Sequence, residues 1–125
     1  MQDGRQATVT INGRAVLVEW TRAAAAELAR RSSPLIVEVE LYFSCLVKKF
    51  VHFHEQVAER EVAVVNPSLS VFFRPVMSTA CSFELADRLG RQPEAEIHGD
   101  AVKKMAPRRL RIDRSKSAWK GEVWF

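Results

Sequence analysis

The sequence predicts a single α+β domain over residues 1–125, with an antiparallel sheet built mainly from hairpins and two or three helices packed on one face. Two observations predict this class. Turn residues separate several pairs of segments in which apolar and polar side chains alternate, and other segments combine helix-forming residues with capping residues. A composition of 47% hydrophobic and 27% charged residues is that of an ordinary globular domain, and no Gly-, Ser- or Pro-rich linker divides it.

The first hairpin has the clearest signal. Asn12-Gly13 separates two alternating segments, 7–11 and 14–20, and this dipeptide is typical of a two-residue type I′ turn. Such a turn pairs Ile11 with Arg14. The register then places one apolar row on a face that we expect to be buried, consisting of Ala7, Val9, Ile11, Val16, Val18 and Trp20.

A helix is expected next, over residues 22–31. Thr21 is a good N-cap, and the run of alanines that follows has high helix propensity. Pro34 ends the segment because it restricts the backbone of the residue before it.

Between residues 35 and 47 apolar side chains recur at every second position, which predicts one long strand. Glu38 and Glu40 fall on its other face, which we expect to be solvated. The thirteen residues exceed the usual strand length of about 3–10, so the strand has to bend, bulge or project beyond its neighbours. After the interruption at Lys48-Lys49, residues 50–54 are either a return strand or the same strand after a bulge.

The next segments predict two more strands and two helices. Strands over 61–65 and 69–74 flank the turn residues Asn66-Pro67-Ser68, and Pro75 is expected to close the second strand. One helix is expected from Ser78-Thr79 to about Leu89. Another is expected from Pro93 to Met105, where Gly99-Asp100 can break it in two.

A closing hairpin is predicted from strands 109–113 and 119–124, joined by residues 114–117. If Ile112 pairs with Trp119, one face is apolar and buried, with Leu110, Ile112, Trp119 and Val123. The outer face then holds Arg109, Arg111, Lys120, Glu122 and Trp124.

The last quarter of the chain carries all of its excess positive charge. Residues 101–125 contain eight basic and two acidic side chains, a net charge of +6, whereas residues 1–100 have a net charge of −2. Lysines and arginines beside aromatic residues are typical of nucleic-acid contacts, because they combine phosphate neutralisation with base stacking. The predicted polyanion-binding residues are Arg109, Arg111, Arg114, Lys116, Lys120 and Trp124. The same residues also fit a hairpin face that is charged only for solubility.

The leading hypothesis is therefore a small non-enzymatic binding protein whose basic C-terminal hairpin contacts nucleic acid, another polyanion or an acidic protein. One alternative is a homodimeric structural or adaptor protein assembled through the long central strand. Another is a metal-dependent enzyme that uses His52 and His54, since residues i and i+2 of a strand point to the same side and suit two ligands of one metal. The simpler interpretation pairs these histidines across strands with Glu38 or Glu40.

No other motif indicates a reaction, so we expect no cofactor and no catalytic residue. The sequence has no glycine-rich phosphate loop, no C-x-x-C and no H-E-x-x-H. Cys81 can gain thiolate character at a helix start, but both it and Cys45 also fit inert core positions. With only two cysteines and no apolar leader or membrane-length segment, the chain is expected to be cytoplasmic and to make no membrane contact.

Overall fold

The computed structural model describes residues 5–44, 46–78 and 94–125, which form nine strands and two short helices. The strands are β1 (Gln6–Ile11), β2 (Arg14–Trp20), β3 (Leu35–Phe43), β4 (Val47–His54), β5 (Ala63–Asn66), β6 (Leu69–Ser78), β7 (Glu94–Glu96), β8 (Arg109–Ser115) and β9 (Ala118–Trp124). The helices are α1 (Arg22–Ala29) and α2 (Asp100–Lys103).

The strands form two mixed sheets. The first sheet has the order β1-β2-β8-β9, and the second has the order β4-β3-β6-β5. Strand β7 also pairs with β6, at the end of β6 that β5 does not reach. Both sheets share one plan: the two central strands run parallel, β2 with β8 and β3 with β6, and each outer strand pairs antiparallel.

The predicted α+β class is therefore wrong. Strands make up 58% and helices 12% of the structure, and both sheets contain a parallel pair. The β1–β2 hairpin was predicted with its correct register, but the parallel pairs join strands that are far apart in sequence, and no local pattern encodes that choice. The described part of the chain has two short helices, and the apolar faces of the two sheets cover each other.

One hydrophobic core lies between the two sheets. Val16, Val18, Leu110 and Ile112 from the first sheet are fully buried in it, and Val37, Val39, Leu69 and Val71 come from the second. At one edge of the sandwich β4 packs on β9, where the rings of Phe53 and Trp119 stack 6.0 Å apart. Helix α1 adds the buried Ala24 and Leu28, so its thin alanine face lets it lie close to the core.

The first hairpin and the first helix confirm their predictions. Ile11 pairs with Arg14 across a turn in which Asn12 and Gly13 have φ values of 52° and 80°. Thr21 caps α1 by accepting a hydrogen bond from the amide of Ala24, although the helix ends at Ala29.

The long strand predicted from 35 to 47 is wrong, because β3 ends at Phe43 and the chain returns as β4. Of the two alternatives for 50–54, the return strand is correct. Glu38 and Glu40 are on the face away from the core, as predicted, but they are buried and not solvated. Strand β3 lies between β4 and β6, so it has no free edge and the reason for a dimer through it is lost.

Pro75 does not close β6, which continues to Ser78. The carbonyl of Pro75 accepts a hydrogen bond from the amide of Ile97, so the proline nitrogen faces the same edge of β6. On that edge β5 pairs only with residues 69–71, and β7 pairs with β6 from Val76 onward, so no strand is paired at Pro75 itself. A strand tolerates proline where no ladder hydrogen bond is required of its nitrogen.

The second half of the helical prediction is also corrected. The helix expected from residue 78 to 89 falls almost wholly outside the described residues. The helix expected from Pro93 to Met105 is wrong in its first part, where β7 pairs with the end of β6. Only Asp100–Lys103 is helical, after the expected break at Gly99.

The closing hairpin forms, with its faces as predicted and its register shifted. Ile112 pairs with Gly121 instead of Trp119, because the turn contains only Lys116 and Ser117, both with positive φ. A shift of two residues leaves each side chain on the same face. Leu110, Ile112 and Val123 are therefore buried, as expected.

Candidate functional site

The six residues predicted to bind a polyanion all lie on the hairpin formed by β8 and β9, but much of their charge is matched locally. Arg109 is hydrogen-bonded through Nε to the Glu19 carboxylate of the neighbouring strand. Its guanidinium also lies 4.5 Å from the centre of the Trp124 ring. The exposed stacking surface that was expected of Trp124 is thus partly covered by an arginine of the same face.

Arg114 lies on the other face of the hairpin and is engaged as well. Its Nη2 is 3.7 Å from Oε1 of Glu27 in α1, and its guanidinium lies 4.9 Å from the Trp119 ring centre. These contacts tie the end of β8 to α1, so Arg114 has a structural role.

Arg111, Lys116 and Lys120 are exposed. Arg111 is opposite Glu122, and Lys120 is opposite Asp113. The hydroxyl of Thr21 and the amide of Arg114 donate to Asp113, and together with the nearby Arg111 and Lys120 they hold the pKa of that carboxyl below its usual range. Asp113 therefore stays ionised beside the two cations.

The outer face of the first sheet is consequently close to neutral in this region. Its cations Arg109, Arg111 and Lys120 stand among three carboxylates, those of Glu19, Asp113 and Glu122. Charge pairing of this kind lowers the attraction for a polyanion. Nucleic-acid binding by this hairpin stays a prediction.

A different set of cations lies at the end of the sandwich where the β1–β2 and β3–β4 turns meet the C-terminus. There a groove of about 540 Å³ is lined by Arg14, Leu41, Val47, Lys48, Lys49, Lys104, Met105 and Phe125. We call it the cationic end groove. Its lining combines four basic residues with four apolar ones, and none of these residues has an acidic side chain.

The turn between β1 and β2 holds α2 at this groove. The side chain of Asn12 donates to the Lys103 carbonyl at 3.2 Å, and Arg14 Nη1 donates to the Lys104 carbonyl at 3.1 Å. These two bonds place Lys104 and Met105 beside the start of β2.

On the other side, β4 supplies Lys48 and Lys49 at its start. The Nζ atom of Lys49 donates to the Val123 carbonyl of β9 at 2.7 Å. Lys48 is exposed and lies opposite Tyr42 of β3, so its side chain is on the outer face of the second sheet, opposite to that of Lys49. Strand pairing between distant segments thus brings the Lys49 ammonium group to the groove.

Apolar surface in the groove is unusually accessible. Val47 is 62% exposed and Met105 is 41% exposed, while Leu41 below them is buried. Phe125 is half-buried, and its ring is 6.0 Å from the ring of Phe73. Exposed aliphatic side chains beside basic groups are typical of sites for ligands with both an anionic and an apolar part.

The sequence contained only a partial signal for this groove. Lys48-Lys49 was treated as an interruption of a strand, and Lys104 was counted with the basic C-terminal quarter. A dibasic pair next to the exposed Leu46-Val47 in a hairpin turn is the pattern that identifies it.

The two histidines lie on the outer face of the second sheet and pair with carboxylates of β3. His52 Nε2 is 2.6 Å from Glu40 Oε1, and His54 Nε2 is 2.8 Å from Glu38 Oε1. The simpler of the two predictions, pairing of these histidines across strands with Glu38 or Glu40, is confirmed for both histidines. The thiols of Cys45 and Cys81 fall outside the described residues.

No protein-family model, curated protein or solved structure matches this chain. Within the described ranges, neither helix has the length and apolar character that crossing a bilayer requires. Any argument about function therefore rests on the geometry of the molecule itself.

Proposed function

We propose that this chain is a binding protein for a small anionic amphiphile, a molecule with a carboxylate or phosphate head and an apolar body, held in the cationic end groove. The observation that carries the proposal is the lining of the groove, which consists of four basic and four apolar residues and contains no acidic side chain. Its volume of about 540 Å³ is within the common range for small-molecule sites, roughly 300–1,000 Å³.

The charge of the groove favours an anion. Arg14 and Lys104 on one side and Lys49 on the other approach the same space. Like charges brought together raise the local potential, so an anion placed among them is attracted and lowers their mutual repulsion. This is the opposite of the outer hairpin face, where each cation has a carboxylate nearby.

The apolar part of the lining favours an aliphatic ligand over a stacked base. Single-stranded nucleic acid is held by exposed aromatic faces. Trp124 is covered by Arg109, Trp119 is stacked on Phe53, and Phe125 contacts Phe73. Val47 and Met105 provide the most exposed apolar surface of the groove, and they suit an alkyl chain.

Polyanion binding by the hairpin is a second candidate, because Arg111, Lys116 and Lys120 are exposed on it. A reducing cytoplasmic setting suits either candidate, since only two cysteines occur in the sequence.

Calorimetric titration with dodecanoate tests the amphiphile proposal. We expect saturable binding of dodecanoate, weak or no binding of acetate, and none of a dodecyltrimethylammonium ion. Lys49→Glu and Lys104→Glu should each weaken binding at least tenfold, because each replaces attraction by repulsion at the groove.

Arg22→Glu is the matched control. It changes the net charge by the same amount, but Arg22 is an exposed residue in the first turn of α1 and is absent from the groove lining. If Arg22→Glu weakens binding as much as Lys49→Glu does, the effect comes from net charge alone and the groove is rejected.

A fluorescent twelve-nucleotide oligothymidine provides the test of the second candidate. Binding that falls steeply with salt and weakens in Arg111→Ala and Lys120→Ala, with no binding of dodecanoate, would place the function on the hairpin instead.

A further inference from the structure

The carboxylates and imidazoles on the outer face of the second sheet lie outside both proposed binding surfaces. Alternation along β3 directs Glu38 and Glu40 away from the core, and Glu38 is directly opposite His52 of β4. Glu38 is 7% exposed and Glu40 is 2% exposed, whereas the His52 side chain is 40% exposed. The two carboxylates are thus buried close together, and the imidazole of His52 is the more exposed member of this cluster.

We propose that Glu38, Glu40 and His52 bind one divalent transition-metal ion, best matched by Zn²⁺. Each of the three residues offers one ligand atom, and these atoms all lie within 4.8 Å of one another. Ligands about 2.0–2.2 Å from a tetrahedral zinc are about 3.4 Å apart, so side-chain rotation by a small amount brings the three into range. This inference does not depend on the proposed function.

The donor set determines the class of metal. One imidazole nitrogen and two carboxylate oxygens suit zinc and its first-row neighbours, whereas calcium and magnesium favour oxygen ligands alone. Three protein ligands leave one position of a tetrahedron for water. The metal replaces the hydrogen bond of 2.6 Å that now joins His52 Nε2 to Glu40 Oε1.

The surroundings hold the ligands in place. His54 Nε2 contacts Glu38 Oε1 at 2.8 Å, and Arg74 Nη1 is 3.6 Å from Glu38 Oε2. His54 also stacks on the buried ring of Phe72, with centroids 6.3 Å apart. His54 is therefore a positioning residue that orients the Glu38 carboxylate, as outer-shell groups do in metal sites.

Two arginines border the carboxylates of this cluster. Arg74 Nη1 is 3.6 Å from Glu38 Oε2, and its Nε is 3.4 Å from Glu96 Oε1. Arg60 Nη2 is 2.6 Å from the same Glu96 oxygen. Glu38 and Glu40 are both buried, and a cation bound between them lowers the repulsion between the two carboxylates.

The test uses the full chain, purified without a histidine tag, treated with EDTA and dialysed. Titration with Zn²⁺ followed by calorimetry should show one saturable site. Addition of Co²⁺ should give the visible absorption bands of a four- or five-coordinate site with nitrogen and oxygen ligands. Absence of both signals in the wild-type chain overturns the proposal without recourse to any variant.

Variants then assign the ligands. His52→Gln and Glu40→Gln should each weaken Zn²⁺ binding at least tenfold, and His54→Gln should weaken it about 10–100-fold as a positioning residue. His98 is exposed and outside the cluster, so His98→Gln is the matched control and should bind as the wild type does.

If a variant does not fold, nuclear magnetic resonance of the imidazole nitrogens in the wild-type chain tests the site instead. In the wild-type chain, Zn²⁺ should shift the Nε2 resonance of His52 and leave that of His98 unchanged. Shifts of His98 alone, or unaltered affinity in a folded His52→Gln, would assign the metal to another location and reject this site.

Discussion

Replacing Gly121 by alanine tests how closely the two sheets approach each other at the edge of the sandwich. A Cβ at this position would lie 2.5 Å from Cγ1 and 3.0 Å from Cβ of Val51, and 3.2 Å from Cζ of Phe53. Real carbon atoms do not approach so closely, and Val51 is β-branched, with little freedom to rotate away. We therefore expect Gly121→Ala to push β9 from β4 and to lower the free energy of unfolding.

The magnitude follows from two opposing contributions. An added methyl group in a well-packed interior costs about 1–3 kcal/mol. Alanine in a strand gains about 0.5–1 kcal/mol over glycine because the unfolded chain loses less entropy. The net loss is about 1–2 kcal/mol. An unfolding entropy of about 2.1 cal/mol/K per residue over 125 residues converts this to a fall in Tm of about 4–8 °C.

Chemical denaturation and differential scanning calorimetry measure this change, and a double-mutant cycle with Val51→Ala isolates its cause. Removal of the two Val51 methyl groups clears the closest contact. In that background Gly121→Ala should cost less than in the wild-type chain but not become stabilising, because the Cβ of residue 51 at 3.0 Å and Phe53 Cζ at 3.2 Å remain close to the new methyl group.

Gly13→Ala is the contrasting variant. Its φ of +80° penalises any Cβ, and no atom lies within 4 Å, so its cost of about 1 kcal/mol should persist in the Val51→Ala background. If Gly121→Ala leaves Tm unchanged, or costs the same with and without Val51, the close approach of β4 and β9 is wrong.

Three further outcomes are expected. Thr21→Ala removes the acceptor for the Ala24 amide and the donor to Asp113, and it should cost about 1–2 kcal/mol by urea denaturation at pH 7. The folded-state pKa of Asp113 is lowered, so the stability that this carboxylate contributes is present above the ordinary carboxyl pKa of about 4 and is lost as pH falls through the lowered value. The difference in free energy of unfolding between wild type and Thr21→Ala should therefore become smaller in acid. A difference that does not change with pH would contradict this. Leu110→Ala removes a fully buried side chain and should cost about 2–5 kcal/mol, whereas Arg111→Ala beside it should change stability by less than about 0.5 kcal/mol.

Much of the local structure was predictable because its determinants are neighbours in sequence. Asn12-Gly13 selects a turn whose twist suits a hairpin, and that turn determines the register of β1 and β2. The faces of β8 and β9 were also correct, since a register error of two residues preserves the alternation of side chains. The error itself came from the turn, where Lys116 and Ser117 adopt positive φ without glycine.

The candidate sites were harder to predict, because they combine residues from distant segments. The basic C-terminal quarter was correctly recognised as charged. However, the carboxylates that match it include Glu19 and Glu27, about ninety residues earlier in the chain. The cationic end groove likewise joins Arg14, Lys49 and Lys104, whose approach depends on which strands become neighbours.

By itself, the sequence determined the β1–β2 hairpin and its register, the start of α1 and which side chains of each strand share a face, because turn geometry and alternation act over a few residues. Only the tertiary structure decided that two sheets cover each other, that β2 joins β8 and β3 joins β6 in parallel, and that Glu38 and Glu40 are buried. The physical reason is that burial and charge pairing between distant segments depend on the packing free energy of the whole chain, which no short stretch of residues contains.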